Sequence, residues 1–407
     1  MSDAPALPPT DPAGPNAGSL RALILVLGVC GFASTFTMRI VDPLVPTLAG
    51  EFSRSIPQVA AIATAFSFAY ALGQPFLGPI ADSVGKLRTI STCLGALTLL
   101  SLAAAISGSF ETLTMARMIA GVAAGGVIPV AMAAIGDRAP MAERQILLGR
   151  FLVLMIIGQM GGAACSGLIA EHVGWRGVFV MAAAIAAFAG LLVILVLKPR
   201  PDAQRPSLSF AGALTRYGAV FANPRSKLLY GLVIVEGSLV FGMPPYVAAI
   251  LQERAGVGPS EAGLVIAGSG IGGFVYGVLT RILVERLGPA RMAVGGGILM
   301  GLAYVLFALP VLPWWSAVAI FTLNGFGFFL MHGTFQAQAT ELAPTARGSA
   351  VALFACALFC GHALGPLLMG AALHLLGTSG AILLFAAGIA LLGILVPRIM
   401  PLAGSRT

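Results

Sequence analysis

Charged side chains are scarce. Asp, Glu, Lys and Arg make up 9% of the 407 residues, against about 25% in soluble domains. A chain of this length with so few charges has no means of covering a water-facing surface, which excludes a soluble enzyme, a nucleic-acid module and a disordered tail protein. The five cysteines, at 30, 93, 165, 356 and 360, are odd in number and lie in apolar stretches, so no disulfide framework is visible. There is no Walker motif, which argues against direct use of ATP. There is also no His-Glu-x-x-His and no motif of paired intramembrane aspartates, so an intramembrane enzyme lacks its constellation. No basic n-region precedes an apolar core and cleavage site, so no signal peptide is expected. What is abundant is aliphatic surface and glycine: 58% of residues are hydrophobic and 52 are Gly. That mixture suits helices packed closely in lipid.

Apolar runs long enough to cross about 30 Å of hydrocarbon follow one another along the chain. The expected spans are 21–49, 58–81, 89–107, 112–135, 146–170 and 177–197, then 228–252, 260–283, 292–312, 315–338, 348–375 and 378–399. The expected organisation is a Pro-rich disordered tail (1–20), a six-helix bundle (21–197), a linker (198–227), a second bundle (228–399) and a tail (400–407). The linker holds Lys198, Arg200, Arg205, Arg216, Arg225 and Lys227. Phe210, Leu214, Tyr217 and Phe221 recur there at helical spacing, which fits either a helix on the membrane surface or a plain connection. With the N-terminus in the cytoplasm, eighteen basic residues fall in cytoplasmic loops and ends, and only Arg54, Arg176 and Arg254 fall outside. The net charge of +8 is thus a topology signal, and no nucleic acid is implied.

The two halves repeat. Adding 203 takes Asp82, Gly85 and Arg88 to Glu285, Gly288 and Arg291, and Gly158, Gly162, Gly167 and Gly174 to Gly361, Gly365, Gly370 and Gly377. Near the start of each half the offset is 202: Pro43, Glu51 and Pro57 match Pro245, Glu253 and Pro259. The expected fold is an all-α membrane protein with twelve transmembrane helices in two pseudo-symmetric six-helix bundles, with a substrate path between them.

The segment Gly78-Pro-Ile-Ala-Asp82-Ser-Val-Gly85-Lys86-Leu-Arg88, with its copy Glu285-Arg-Leu-Gly288-Pro-Ala-Arg291, resembles the signature loop of the major facilitator superfamily. Position 83 is Ser where that family often has Arg. Asp82 is placed to face the N-terminus of the span starting near Arg347, a breakable contact suited to a conformational latch. Arg117-Met-Ile-Ala-Gly121-Val-Ala-Ala-Gly125 resembles the arginine motif of proton-coupled members. Gly158-Gln-Met-Gly-Gly162-Ala-Ala-Cys-Ser-Gly167 partly resembles the drug-antiporter signature without its proline, which the copy Gly361-His-Ala-Leu-Gly365-Pro366 does have. Glycines for helix packing explain both segments as well.

Ionisable groups within spans are few and costly there, so each is informative. They are Arg39 and Asp42, Arg117, Glu236, His332 and His362. Adding 202 takes Arg39 to Phe241 and Asp42 to Pro244, and subtracting it takes Glu236 to Ser34. Scaffold features repeat and these do not, which assigns them to substrate or proton chemistry. Asp42 and Arg117 are expected about 12 Å and 7 Å inward of the same surface, where Asp42 alternates between an arginine partner and a proton. The alternatives are a fixed Arg39–Asp42 pair, a helix clamp for Arg117, a water-facing Glu236 and packing histidines. Cys356, Cys360 and His362 have spacing compatible with a soft metal ion, packing being the simpler reading. Uncharged candidates for the cavity are Tyr70, Gln74, Gln159, Tyr246, Asn324 and Gln336, and Pro43, Pro46, Pro244 and Pro245 are expected to bend the helices.

These residues point to a monomeric secondary transporter in a bacterial inner membrane, with both termini cytoplasmic and no cofactor. It is expected to couple protons to export of small, largely hydrophobic compounds. Uptake of a small solute or soft metal ion is the runner-up, and a non-transporting receptor or assembly factor the rival from another class.

Overall fold

The computed structural model describes residues 17–199, 210–309, 313–343 and 347–400. The expected tail through residue 16, Arg200 and Arg205 of the linker, residues 310–312 of the ninth span and residues 401–407 lie outside the described residues. The helices are α1 (Ala17–Arg39), α2 (Val45–Glu51), α3 (Ile56–Val84), α4 (Lys86–Ala105), α5 (Phe110–Arg138), α6 (Met141–Val173) and α7 (Trp175–Leu192) in the first half. Then come α8 (Phe210–Phe221), α9 (Pro224–Phe241), α10 (Pro244–Ala255), α11 (Pro259–Ala308), α12 (Ser316–Glu341) and α13 (Arg347–Ile399). Because α1 begins at Ala17, the last residues of the expected tail are helical instead.

Among the described residues, ten helical segments are long and apolar enough to cross a membrane. Two of them, α11 and α13, have 50 and 53 residues, about 75–80 Å if straight, more than twice the hydrocarbon thickness. Each is broken once by a glycine, α11 at Gly288 (φ 70°) and α13 at Gly377 (φ 68°). These are the copies of Gly85 (φ 112°) and Gly174 (φ 90°), which separate α3 from α4 and α6 from α7. All four turns need a positive φ that residues with a Cβ rarely adopt. The breaks resolve the helices into twelve spans.

Local chemistry sets the other boundaries. Ser55 and Ser109 accept hydrogen bonds from the backbone N–H groups of Gln58 and Thr112 at the starts of α3 and α5, and Asn223 caps α9 with Pro224 next to it. The linker forms a helix, α8, whose Val220 is fully buried. Pro79 has no N–H, so the carbonyl of Pro75 has no partner within α3. Tyr217 Oη of α8 donates to that carbonyl at 3.1 Å. Two residues beyond α8, Asn223 Nδ2 donates to Leu342 O at 3.0 Å. The linker is tied to both halves.

The halves meet along α3 with α13 and α6 with α11. At the end of the bundle carrying Glu51, a methyl group added at Gly167 would strike the Pro259 carbonyl, and one at Gly263 the Ala163 carbonyl. Further along, Gly270 faces Met160. One turn beyond these, Ile157 and Phe274 are exposed. The seam is therefore tight from the Glu51 end toward mid-bundle. At the opposite end, carrying Asp82, no ion pair among the described residues joins the halves.

Candidate functional site

The first and seventh spans are each broken at matching places. Helix α1 stops at Arg39, whose carbonyl would need the N–H that Pro43 lacks, and Asp42–Leu44 follow as a short 3-10 turn. Helix α9 stops at Phe241, and α10 starts with Pro244 and Pro245. Arg39 and Phe241 are copies at the 202 offset, and they touch across the seam: the guanidinium carbon lies 4.9 Å from the Phe241 ring centre. Arg39 Nη1 also donates to Asp42 Oδ2 at 3.1 Å, with both side chains buried. The ion pair thus sits where the halves meet, at the bend of one against the bend of the other.

A broken helix exposes carbonyls that must find donors. Arg117 Nη2 donates to Thr37 O at 3.0 Å. It lies over Phe66, 4.1 Å from the ring centre, and near Phe179 at 5.9 Å. Its hydrogen bond is to the backbone and not to Asp42, the form that a helix clamp takes. In the second half Tyr304 Oη lies 3.1 Å from Leu239 O and 3.0 Å from Val240 O. Leu239 is the copy of Thr37, so one backbone need is met by an arginine in one half and a tyrosine in the other. Nothing in the sequence singled out Tyr304, because it occupies a different helix from Arg117's copy and carries no charge. A Tyr304→Phe variant is expected to lose about 1–3 kcal/mol by leaving those carbonyls buried and unpaired, read as a lower melting temperature in detergent.

The remaining ionisable candidates gather on the second half. His332 Nδ1 of α12 donates to Glu236 Oε2 of α9 at 2.9 Å. Glu236 is completely buried rather than facing water, and its second oxygen, Oε1, has no partner. His332 is flanked by Phe328 and Phe354, at 4.8 and 4.9 Å between ring centres. His362 of α13 stacks on Phe241 at 4.3 Å and neighbours Phe359 at 5.9 Å. Phe359 in turn meets Tyr70 of the first half at 4.1 Å. A run of aromatic rings therefore links Arg39, through Phe241, to both histidines and back across the seam.

Of the uncharged candidates, Tyr70, Gln74, Tyr246 and Asn324 are buried, Gln159 is half-buried and Gln336 exposed. Tyr246 Oη donates to Pro366 O at 2.8 Å, while Gln74 Oε1 and Asn324 Nδ2 have no partner. Gly121 and Gly125 face the carbonyls of Phe66 and Tyr70, bringing α5 against α3. Cys356 and Cys360 are half-buried free thiols. Among the described residues no group of three or more His, Cys, Asp or Glu is arranged to hold a metal ion.

The ion pairs described for the signature loop lie within its own half. Lys86 Nζ lies 3.7 Å from Asp82 Oδ1 and also bridges to Asp137 of α5. Glu285 pairs with Arg281 one turn away at 2.9 Å, and Arg291 is exposed. Gly78 has open space around it and Arg88 is half-buried. Asp82, expected to face the start of α13, has Lys86 of its own half as its nearest described cation, 3.7 Å away.

This architecture is shared with known proteins. The crystal structure of the nucleoside transporter NupG matches with a TM-score of 0.77 over 92% of this chain and 99% of that one, at 16% identity. The MFS-type transporter YceJ of Bacillus subtilis is 25% identical over 340 residues, covering 81% of this chain and 84% of its own. The multidrug export protein EmrB of Escherichia coli is 26% identical over 181 residues, 44% of this chain and 35% of its own. The sequence profile described as Major Facilitator Superfamily matches residues 27–354. Twelve spans in two repeated halves, the signature loop and that match lead to one conclusion: the chain belongs to the Major Facilitator Superfamily, as a multi-pass membrane transporter and not an enzyme.

Proposed function

We propose that this transporter exports small, largely hydrophobic organic compounds in exchange for protons. In this reading it works as a monomer in a bacterial inner membrane, with the Asp82 end and both termini in the cytoplasm. The orientation rests on the eighteen basic residues assigned to that side. The observation that carries the reading is the Arg39–Asp42 pair at the seam, 3.1 Å apart and stacked through Arg39 on Phe241. Opening the Glu51 end must draw Arg39 away from Phe241 and let water reach Asp42. A change in hydration and in the distance to a cation changes a carboxyl group's hold on its proton. Rocking of the halves and proton exchange are thereby one event. Glu236 with His332 offers a second proton-binding pair within the other half.

The low charge of the interior fits apolar cargo better than phosphorylated cargo. The likeness to EmrB, a multidrug export protein, agrees with export. The likeness to NupG shows the fold alone. The test is the purified protein in proteoliposomes holding an internal pH dye, screened against compound pools. Compound-dependent proton movement above protein-free vesicles is expected. Cargo movement that ignores an imposed pH gradient would remove the coupling, and no movement of any compound by folded protein would remove the reading as a whole.

A further inference from the structure

The imidazole of His332 occupies a slot with the features of a ligand site. Phe328 lies nearly parallel to it, 20° between planes, and Phe354 from α13 is tilted by 39°. At the edge of the slot stands the Glu236 carboxylate, with Oε2 taken by the imidazole N–H at 2.9 Å. Its Oε1 is buried without any partner. An apolar recess with one convergent, incompletely satisfied polar group is the usual form of a small-molecule site. The His332 side chain is 12% exposed while Glu236 is 0%, so the imidazole is the accessible member of the pair. Subtracting 203 takes His332 to Pro129, so the first half has no equivalent, and packing symmetry does not explain it.

A carboxylate is best satisfied by two parallel N–H donors, one on each oxygen. The imidazole supplies one. A buried acceptor left unpaired is destabilising, and a ligand with the complete fork satisfies it. We propose that the slot is a cargo subsite, and that His332 holds the place of a planar nitrogen heterocycle bearing an amino group next to a ring N–H. Such a ring lies against Phe328 and Phe354 and presents both donors to Glu236. His332 swings aside when it enters. This assignment rests on the transport reading above and names its cargo class.

The test is equilibrium binding of radiolabelled 2-aminobenzimidazole to the full chain in lipid nanodiscs, with indene as a competitor of similar shape and no nitrogen. Saturable binding is expected, and indene should not displace it. Glu236→Gln should weaken binding about tenfold or more, since an amide accepts on one atom only. His332→Ala should tighten it, because the resident ring no longer competes. Absence of saturable binding to both wild type and His332→Ala overturns the proposal. So does competition by indene, unchanged affinity in Glu236→Gln, or affinity in His332→Ala that is unchanged or weaker, which would make the imidazole a part of the site. If His332→Ala does not fold, Phe328→Leu decides: lower affinity than wild type is expected, and equal affinity overturns the assignment. Proton-driven flux of other compounds without this binding removes the subsite alone. Binding without flux of any compound leaves the subsite and removes the transport reading.

Discussion

Substrate-driven proton flux in proteoliposomes is expected to fall to the protein-free background in Asp42→Asn. Asparagine keeps the size of the side chain and removes the carboxylate that in this reading carries the proton. The same change strips Arg39 of its counter-charge in a buried place, and breaking a buried pair costs about 3–5 kcal/mol. Loss of flux alone is therefore ambiguous, and a second variant separates the two effects. Arg39→Leu with Asp42→Asn removes both charges, so most of the lost stability should return while flux stays at background. Thermal unfolding in detergent reads the first outcome and the pH dye the second. Full flux in the double variant would show that Asp42 does not carry the proton.

A bulky residue in the seam should have an effect of similar size by another route. Gly263 abuts the Ala163 carbonyl, with no space for a side chain while the Glu51 end is shut. Gly263→Leu burdens only that shut state. An overpacking penalty of about 1–3 kcal/mol lowers its population about 5- to 150-fold. Transport should be lost while helix content is retained. Spin labels at Ser53 and Glu253, exposed on opposite halves at this end, should report a longer distance than in the parent. An unchanged distance would mean that the seam is not the moving part.

Much of the scaffold was legible because it repeats. The 203 offset paired Gly85 with Gly288 and Gly174 with Gly377, and each pair shares a positive φ, since a tight turn between two helices leaves its mark in one residue. Pro43 and Pro244 marked the bends, because a missing N–H is a local fact. The contacts at the site are of a different kind. That Arg39 rests on Phe241, or that Glu236 meets His332 from 96 positions away, depends on how helices pack, and no spacing within one helix encodes it. The repeat did contain part of the answer: Phe241 emerged as the copy of Arg39, and positions related by a two-fold axis between halves are free to meet on that axis. Tyr304 left no trace, since a hydroxyl among apolar residues looks like any other aromatic until its carbonyl partners are placed. Asp82 was read against the start of α13, and the pairing of its neighbour Lys86 with both Asp82 and Asp137 of α5 again depends on how helices pack.

The unequal caps on the two elbows give them unequal stiffness. A guanidinium grips the first through a charge-assisted bond, worth about 1.5–3 kcal/mol, whereas one neutral hydroxyl proton, worth about 0.5–1.5 kcal/mol, serves the second. Tyr304 Oη lies 3.0–3.1 Å from two carbonyls and has one proton to share between them, so it can pass from one to the other as the backbone shifts. Flexing is therefore expected first at the junction of α9 and α10, a compliant joint facing a rigid one.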